Sequence, residues 1–143
     1  MSHLLDTNVI SELIAASPDH RVESWLAGID EDALFVSVIT LGELRYGIEL
    51  LATGRRRDRL EEWFTEALLP RFEGRVLPVT DAVADLWGRI KASARSAGRQ
   101  LTPADSLIAA TAFCHDLALV TRNTADFRTM GVELFNPWLS EAE

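Results

Sequence analysis

Acidic side chains recur in this sequence where a predicted β-strand ends and the next helix begins. Asp6 ends the first predicted strand, Glu43 lies one turn into the helix after the second, and Asp105 lies in the first turn of a later helix. Asn123 follows the fourth predicted strand. Because ligands of parallel α/β sheets bind beyond the carboxyl ends of the strands, we expect these side chains to meet at one edge of a sheet. Two further candidates lie beside them, Thr7 and Asp126.

A cluster of this kind needs a cation. Two carboxylates about 4 Å apart repel each other by roughly 4 kcal/mol at an effective dielectric constant of about 20, and a hard divalent ion removes that repulsion. Oxygen ligands without cysteine or histidine favour Mg²⁺ or Mn²⁺ over zinc. An ion held in this way activates water and stabilises charge on a phosphate, so the pattern points to phosphodiester hydrolysis.

Each position also has a local explanation, because acidic and hydroxyl side chains are common at helix N-termini. Asp6 would cap the first helix, and three other pairs have the spacing of a capping box. The pairs are Thr40 with Glu43, Thr102 with Asp105, and Asn123 with Asp126. Capping accounts for an acid at one helix start, but it does not account for acids at the same edge after successive strands.

Hydrophobic periodicity predicts short strands that alternate with amphipathic helices. The predicted strands are 3–5, 34–38, 75–79, 118–121 and 132–135, and the main predicted helices are 8–16, 20–28, 41–52, 58–69, 81–97 and 103–113. This alternation implies an α/β fold with a mainly parallel central sheet flanked by helices on both faces. No repeat or linker interrupts the pattern, so we expect a single domain over residues 1–143.

Composition indicates a folded globular chain without a membrane segment or a disulfide. Hydrophobic residues make up 48% of the 143 positions and charged residues 25%, and no apolar run approaches the roughly 20 residues that span a bilayer. The N-terminus lacks the basic and apolar segments of a secretory signal. Cys114 is the only cysteine, so an internal disulfide is impossible and a reducing cytoplasm is the expected location.

The charge balance weighs against a protein that coats nucleic acid. The formal net charge is −8 and the sequence pI is ≈ 4.9, whereas such proteins present a basic surface. Acids gathered around a divalent cation would reconcile this charge with an anionic substrate. Basic residues form two groups, which are either solvated surface or phosphate contacts. They are Arg55, Arg56, Arg57 and Arg59, and Lys91, Arg95 and Arg99 on one face of a predicted helix.

Four segments together carry a resemblance to a known family. The segments are LLDTNVISELI, VITLGELRYGIELL, LTPADSLIAATA and LALVTRNTADF followed by GVELFNPW. They resemble PIN-domain toxins of the VapC group, especially the FitB-like branch, over nearly the whole chain. The resemblance implies a PIN-domain fold and a Mg²⁺- or Mn²⁺-dependent endoribonuclease that is toxic because it cleaves cellular RNA. It also implies inhibition by a cognate VapB-like antitoxin and assembly into a homodimer.

The same resemblance implies roles for individual residues. Three acids match the positions that hold the family's metal, namely Asp6 in LLDTN, Glu43 in LGEL and Asp105 in PADSLIAA. Where many members carry a fourth acid, this chain has Asn123, and Asp126 one helical turn later is the other candidate. Thr7 and Asn8 match polar residues beside the first acid, which either bind substrate or bound water or stabilise a local turn.

Two other classes of protein place an acidic pocket on an α/β sheet. A non-catalytic phosphoacceptor or signalling module needs a basic side chain beside the phosphoryl group, but Lys91, the only lysine, is predicted to lie exposed in the middle of a helix. A haloacid-dehalogenase-like phosphatase needs a second acid two residues after the first, where this chain has Asn8. The phosphoacceptor module therefore stays as the alternative to the nuclease.

Overall fold

Five short strands form the centre of the molecule, whose computed structural model describes residues 1–139. The strands are β1 (His3–Leu5), β2 (Leu34–Ser37), β3 (Val76–Leu77), β4 (Ala118–Val120) and β5 (Leu134–Phe135). Their order across the sheet is β3-β2-β1-β4-β5, and each neighbouring pair is parallel. The predicted α/β fold is confirmed, and β1 lies in the middle of the sheet.

Helices connect these strands close to the predicted positions. They are α1 (Thr7–Leu13), α2 (His20–Ala27), α3 (Val38–Glu49), α4 (Arg55–Glu62), α5 (Leu69–Arg71), α6 (Asp81–Ser96), α7 (Pro103–Cys114) and α8 (Thr124–Phe127). A π-helical segment, Trp63–Leu68, joins α4 to α5, and short 3-10 helices span Glu31–Ala33 and Pro137–Leu139. In the described part of the chain, no helix has the length and apolar character needed to cross a bilayer.

The start of α3 differs from the prediction. The helix begins three residues early because the Ser37 hydroxyl accepts the backbone N–H of Ile39 at 3.0 Å and caps it. Thr40 is consequently a buried residue inside the first turn, so the predicted capping box of Thr40 with Glu43 is wrong. Since Glu43 caps nothing there, its carboxylate needs another explanation.

Apolar side chains pack against both faces of the sheet. Successive residues of a strand point to opposite faces, so Leu5 belongs to one hydrophobic cluster and Leu4 to the other. On the first face α1 and α3 contribute Val9 and Leu44, and on the second face α7 contributes Ile108. Because β1 is held from both sides, its carboxyl end is a rigid place from which to build a site.

Phe72 is a fully buried member of the first hydrophobic cluster. We expect Phe72→Ala to lower the free energy of unfolding by about 3–5 kcal/mol. The loss combines the apolar area returned to water with the cavity left behind. Phe113→Ala is the matched control, because Phe113 is 54% exposed and its truncation should cost less than about 1 kcal/mol. Urea denaturation of both variants measures the difference, and equal losses would contradict this account of the core.

Candidate metal-dependent active site

The Asp6 carboxylate lies at the carboxyl end of β1 and is only 4% exposed. Its Oδ1 accepts the backbone N–H of Thr7 at 2.8 Å, which caps α1. Its Oδ2 accepts the Thr121 hydroxyl at 2.7 Å and the Asn8 amide at 3.3 Å. Thr121 directly follows β4, the strand that pairs with β1, so the parallel sheet itself brings this donor to the carboxylate.

The pKa of Asp6 is raised above its usual value, chiefly because burial disfavours the charged form. The hydrogen bonds from Thr121 and Thr7 oppose this shift by stabilising the carboxylate, and the negative charges of Asp105 and Glu43 raise the pKa further. The charges of Asp105 and Glu43 thus act on the Asp6 carboxylate, as expected for carboxylates that lie at one edge of a sheet.

Glu43 is held against α1 rather than at the start of its own helix. The Thr7 hydroxyl donates to Glu43 Oε1 at 2.5 Å, and it also lies 3.3 Å from the Thr40 hydroxyl. Residue 7 thus contacts Asp6 through its backbone and Glu43 through its side chain. This pair of contacts links the end of β1 to α3, the helix that follows the neighbouring strand β2.

Asp105 reaches the site from the first turn of α7. Thr102 caps that helix, because its hydroxyl accepts the Asp105 backbone N–H at 3.1 Å, so this predicted cap is confirmed. Burial raises the pKa of Asp105, a hydrogen bond with Thr102 lowers it, and the negative charge of Asp126 raises it again. Capping and placement in the site are therefore compatible at this position.

The loop after β4 is fixed by backbone and side-chain hydrogen bonds. Asn8 Oδ1 accepts the Arg122 backbone N–H at 3.3 Å, and the Thr121 hydroxyl accepts both the Asn8 amide at 3.2 Å and the Asn123 backbone N–H at 3.1 Å. The Asn123 side chain makes no capping bond to α8, so the predicted cap by Asn123 is wrong. Asn123 is exposed and its side chain is available to a ligand.

An open cleft of ≈ 430 Å³ collects most of the predicted residues. Those that line it are Asp6, Thr7, Asn8, Glu43, Asp105 and Asn123. Asp126 is an exposed residue of α8 and does not line the cleft; it acts on Asp105 only through its charge. The structure therefore brings six of the seven predicted positions together and leaves the seventh at the margin.

Four further residues line the cleft that sequence reasoning missed, namely Ser11, Glu12, Arg122 and Trp138. The Arg122 guanidinium lies 5.3 Å from the centre of the Trp138 ring and puts a positive charge into an otherwise acidic cleft. Arg122 had a sequence signal, because it adjoins Asn123 in the TRN segment. Trp138 ends the GVELFNPW segment that carries the resemblance, but nothing in the sequence places that residue at the cleft.

The donor set of the cleft fits a hard divalent cation. Its carboxylate, hydroxyl and amide oxygens are the ligands that Mg²⁺ and Mn²⁺ prefer, and cysteine and histidine are absent from its lining. Within residues 1–139, no three acidic, histidine or cysteine side chains stand close enough to form a closed cluster around an ion. The carboxylates of Asp6, Glu43 and Asp105 line one cleft without gathering around a common point.

The basic partner that a phosphoacceptor module needs is not supplied by the only lysine. Lys91 Nζ lies 5.1 Å from the centre of the Trp87 ring on the surface of α6, and it lines a different cavity. This placement agrees with the sequence argument about Lys91, and the basic side chain that lines the cleft is Arg122 instead.

Fold and site together define a class of protein, a parallel α/β domain with an acidic cleft at the carboxyl edge of its sheet. A family model described as PIN domain matches residues 3–132. Toxin FitB of Neisseria gonorrhoeae is 42% identical over 135 residues, which cover 94% of this chain and 97% of that protein. VapC ribonuclease Y4jK of Sinorhizobium fredii is 38% identical over 94% of this chain and 96% of its own length.

A solved structure agrees with this assignment. The crystal structure of FitAcB from Neisseria gonorrhoeae superposes with a TM-score of 0.90 at 41% identity, covering 96% of this chain and 99% of that one. The chain therefore belongs to the PIN-domain family, in the group that contains the FitB and VapC proteins.

We expect Thr121→Val to raise the pKa of Asp6 in the metal-free protein, because it removes the hydroxyl that stabilises the charged form at 2.7 Å. Carboxyl-carbon NMR during a pH titration measures the shift. Thr111→Val is the matched control, because the buried Thr111 hydroxyl donates to the Leu107 carbonyl instead. An Asp6 pKa that is unchanged or lowered in Thr121→Val would show that this hydrogen bond does not control the carboxylate.

Proposed function

We propose that this chain is a metal-dependent endoribonuclease and the toxin of a VapBC-type toxin–antitoxin pair. The observation that carries the proposal is the shared cleft of Asp6, Glu43 and Asp105, in a chain that aligns almost end to end with proteins named as a toxin and as a ribonuclease. The substrate class is RNA, and the bond that is hydrolysed is a phosphodiester.

The metal ligands in this proposal are Asp6, Glu43 and Asp105, and the ion is Mg²⁺, for which Mn²⁺ substitutes. An ion bound to these oxygens would lower the pKa of a water and neutralise charge on the attacked phosphate. Binding also offsets the repulsion between the acids, which adds to the effect of burial in raising the pKa of Asp6. Asp126 adds negative charge at the margin of the cleft, which attracts a cation and also raises the pKa of Asp105.

The remaining polar residues hold the carboxylates and the substrate in place. Thr121 and Asn8 fix one oxygen of Asp6, and Thr7 fixes Glu43, so two of the acids are oriented before any ligand arrives. Arg122 is the one cationic side chain that lines the cleft in the part of the chain that is described. We assign it to a phosphate oxygen of the RNA, with Asn123 beside it as a hydrogen-bonding group.

The partner in this proposal is a VapB-like antitoxin. An acidic cleft repels a second acid and attracts a basic side chain, so the inhibitor is expected to bring an arginine or lysine to Asp6 and Glu43 and to compete with the metal. Such a contact would block the cleft and neutralise its charge in one step. In this proposal, the acidity of the cleft accounts for both the metal and the form of inhibition.

Co-expression tests the function and the partner together. We expect the wild-type chain to arrest growth, Asp6→Asn and Asp105→Asn to be harmless, and co-expression of the cognate VapB-like antitoxin to relieve the arrest. Purified variants should cleave RNA at least 100-fold more slowly in Mg²⁺ or Mn²⁺, because each has lost a charged ligand. Asp58→Asn on the exposed surface of α4 is the control and should cleave normally. Normal cleavage by Asp6→Asn would place the reaction elsewhere.

Thermal unfolding tests the metal independently of activity. Millimolar Mn²⁺ should raise the melting temperature of wild type, since a ligand present at 100 times its Kd adds roughly 2.7 kcal/mol of stability. Asp6→Asn should show little or no rise, and Asp58→Asn should respond as wild type does. Because the pKa of Asp6 is raised, the Mn²⁺ effect should fade as the pH drops through that raised value and the carboxyl becomes protonated. A wild-type midpoint that Mn²⁺ leaves unmoved rules out this site.

A further inference from the structure

The loop that carries Arg122 into the cleft is held on both sides of this residue. The Arg122 backbone N–H donates to Asn8 Oδ1 at 3.3 Å, and the Arg122 carbonyl accepts the side-chain amide of Asn136 at 3.3 Å. Asn136 Oδ1 in turn accepts the Trp138 backbone N–H at 2.9 Å. A single asparagine side chain therefore connects the loop after β4 to the 3-10 helix that contains Trp138.

The Trp138 ring supports the Arg122 guanidinium. The two lie 5.3 Å apart, measured from the guanidinium carbon to the ring centre, which is within the range of a cation–π contact. Trp138 is only 4% exposed and belongs to the first hydrophobic cluster, so packing fixes the indole. An exposed arginine ordinarily samples many rotamers. Arg122 is exposed, but its backbone is bonded on both sides and its guanidinium rests on a rigid ring.

The acids around Arg122 bind other donors and leave its charge available. Asp19 pairs with Arg21 at 3.0 Å, and hydrogen bonds from Arg21 are the main reason that the pKa of Asp19 is lowered to about 2, with a smaller effect from the charge of Arg122. Glu12 accepts the Asp19 backbone N–H at 2.9 Å. Within residues 1–139, Arg122 forms no ion pair. Its guanidinium can therefore bind an anionic ligand.

We propose that Trp138 and Asn136 are positioning residues that hold the Arg122 guanidinium where it binds a backbone phosphate of RNA, an inference that rests on the nuclease function proposed above. The Trp138 ring orients the side chain of Arg122, and the Asn136 amide fixes its backbone. Because the arginine is ordered before RNA arrives, less of the phosphate interaction is spent on immobilising it. Both residues act through Arg122.

Direct stacking of an RNA base on Trp138 is the competing role, since tryptophan rings bind the bases of single strands in this way. A stacked base needs an open ring face. The Trp138 ring packs in the hydrophobic cluster and is covered by Arg122, which leaves 4% of the residue exposed. A base would have to displace the arginine, so the geometry favours support of Arg122 over stacking.

Steady-state cleavage of a short fluorescent single-stranded RNA of mixed sequence tests the proposal. Arg122→Gln should raise KM about tenfold and leave kcat within about twofold, because a phosphate contact made equally in the ground and transition states affects binding alone. Trp138→Leu should raise KM about fivefold, whereas Trp138→Phe keeps an aromatic face for the guanidinium and should stay within about twofold of wild type. Adding Trp138→Leu to Arg122→Gln should raise KM no further, because both changes remove one contact.

Asn136→Ala is a second route to the same result, because it leaves the Trp138 ring in the core. It should raise KM about threefold in the wild-type chain and leave KM unchanged in the Arg122→Gln background. The guanidinium N–H signals of Arg122 in the NMR spectrum of the metal-free protein report its position without RNA. Protons above an aromatic ring are shielded, so these signals should lie upfield in wild type and Trp138→Phe and lose that shift in Trp138→Leu.

Two variants provide matched controls. Lys91 also lies over a tryptophan ring, that of Trp87 at 5.1 Å, but it does not line the cleft, so Lys91→Gln removes a similar cation from another surface. Trp25 packs against the same hydrophobic cluster as Trp138 and does not line the cleft either, so Trp25→Leu controls for the loss of a packed indole. Both controls should keep KM within about twofold of wild type, because neither changes a contact to the substrate.

The outcomes separate this inference from the function beneath it. If wild type cleaves RNA and Arg122→Gln leaves KM unchanged, the inference fails and the nuclease function stands. If Trp138→Leu raises KM as much in the Arg122→Gln background as in wild type, the ring contacts RNA directly and the inference is overturned. If Trp25→Leu raises KM as Trp138→Leu does, lost packing explains the effect and the inference is again overturned. If wild type cleaves no RNA, the proposed function fails and this inference with it.

Discussion

One buried contact governs the site, the hydrogen bond of 2.7 Å from the Thr121 hydroxyl to the Asp6 carboxylate. It joins the ends of β1 and β4, and its geometry follows from the parallel register in which Leu5 lies beside Val120. Desolvation of Asp6 would otherwise favour the protonated acid. The hydroxyl keeps the carboxylate oriented and assists its ionisation, and Asn8 and the backbone of Asn123 are then organised around the same threonine.

The acids around that contact carry negative charge that no ion pair among the described residues neutralises. Thr7 holds Glu43 and the first turn of α7 holds Asp105, so these acids share a cleft with Asp6 and Glu12, and none of the four forms an ion pair within residues 1–139. Other acids of this chain do form ion pairs, such as Glu31 with Arg71 and Arg75. Leaving the cleft acids unpaired lowers the stability of the metal-free protein and keeps their oxygens available to a cation, which is the compromise expected of a binding site.

Positive charge is sparse in this protein, and its placement matters more than its amount. The Arg122 guanidinium lies over the Trp138 ring in the acidic cleft, while Arg56 and Arg59 line a separate groove that shares only Ser11 with it. With a net charge of −8, long-range attraction of RNA is weak, so a substrate has to be recognised by local contacts. The acidity of the cleft also favours a basic side chain of an inhibitor there.

The sequence alone determined the fold class and the location of the acids at the ends of strands. Hydrophobic periodicity and polar residues at strand ends are local patterns that can be recognised without a structure. It could not decide between capping and ligand binding. The prediction that Thr40 caps α3 is wrong, because Ser37, one turn earlier, caps that helix instead. Only the tertiary structure shows which of the two hydroxyl residues forms the cap. Trp138 lines the cleft, where its ring contacts Arg122, whereas Asp126 does not line it. Neither position follows from the sequence, because each depends on how distant elements pack.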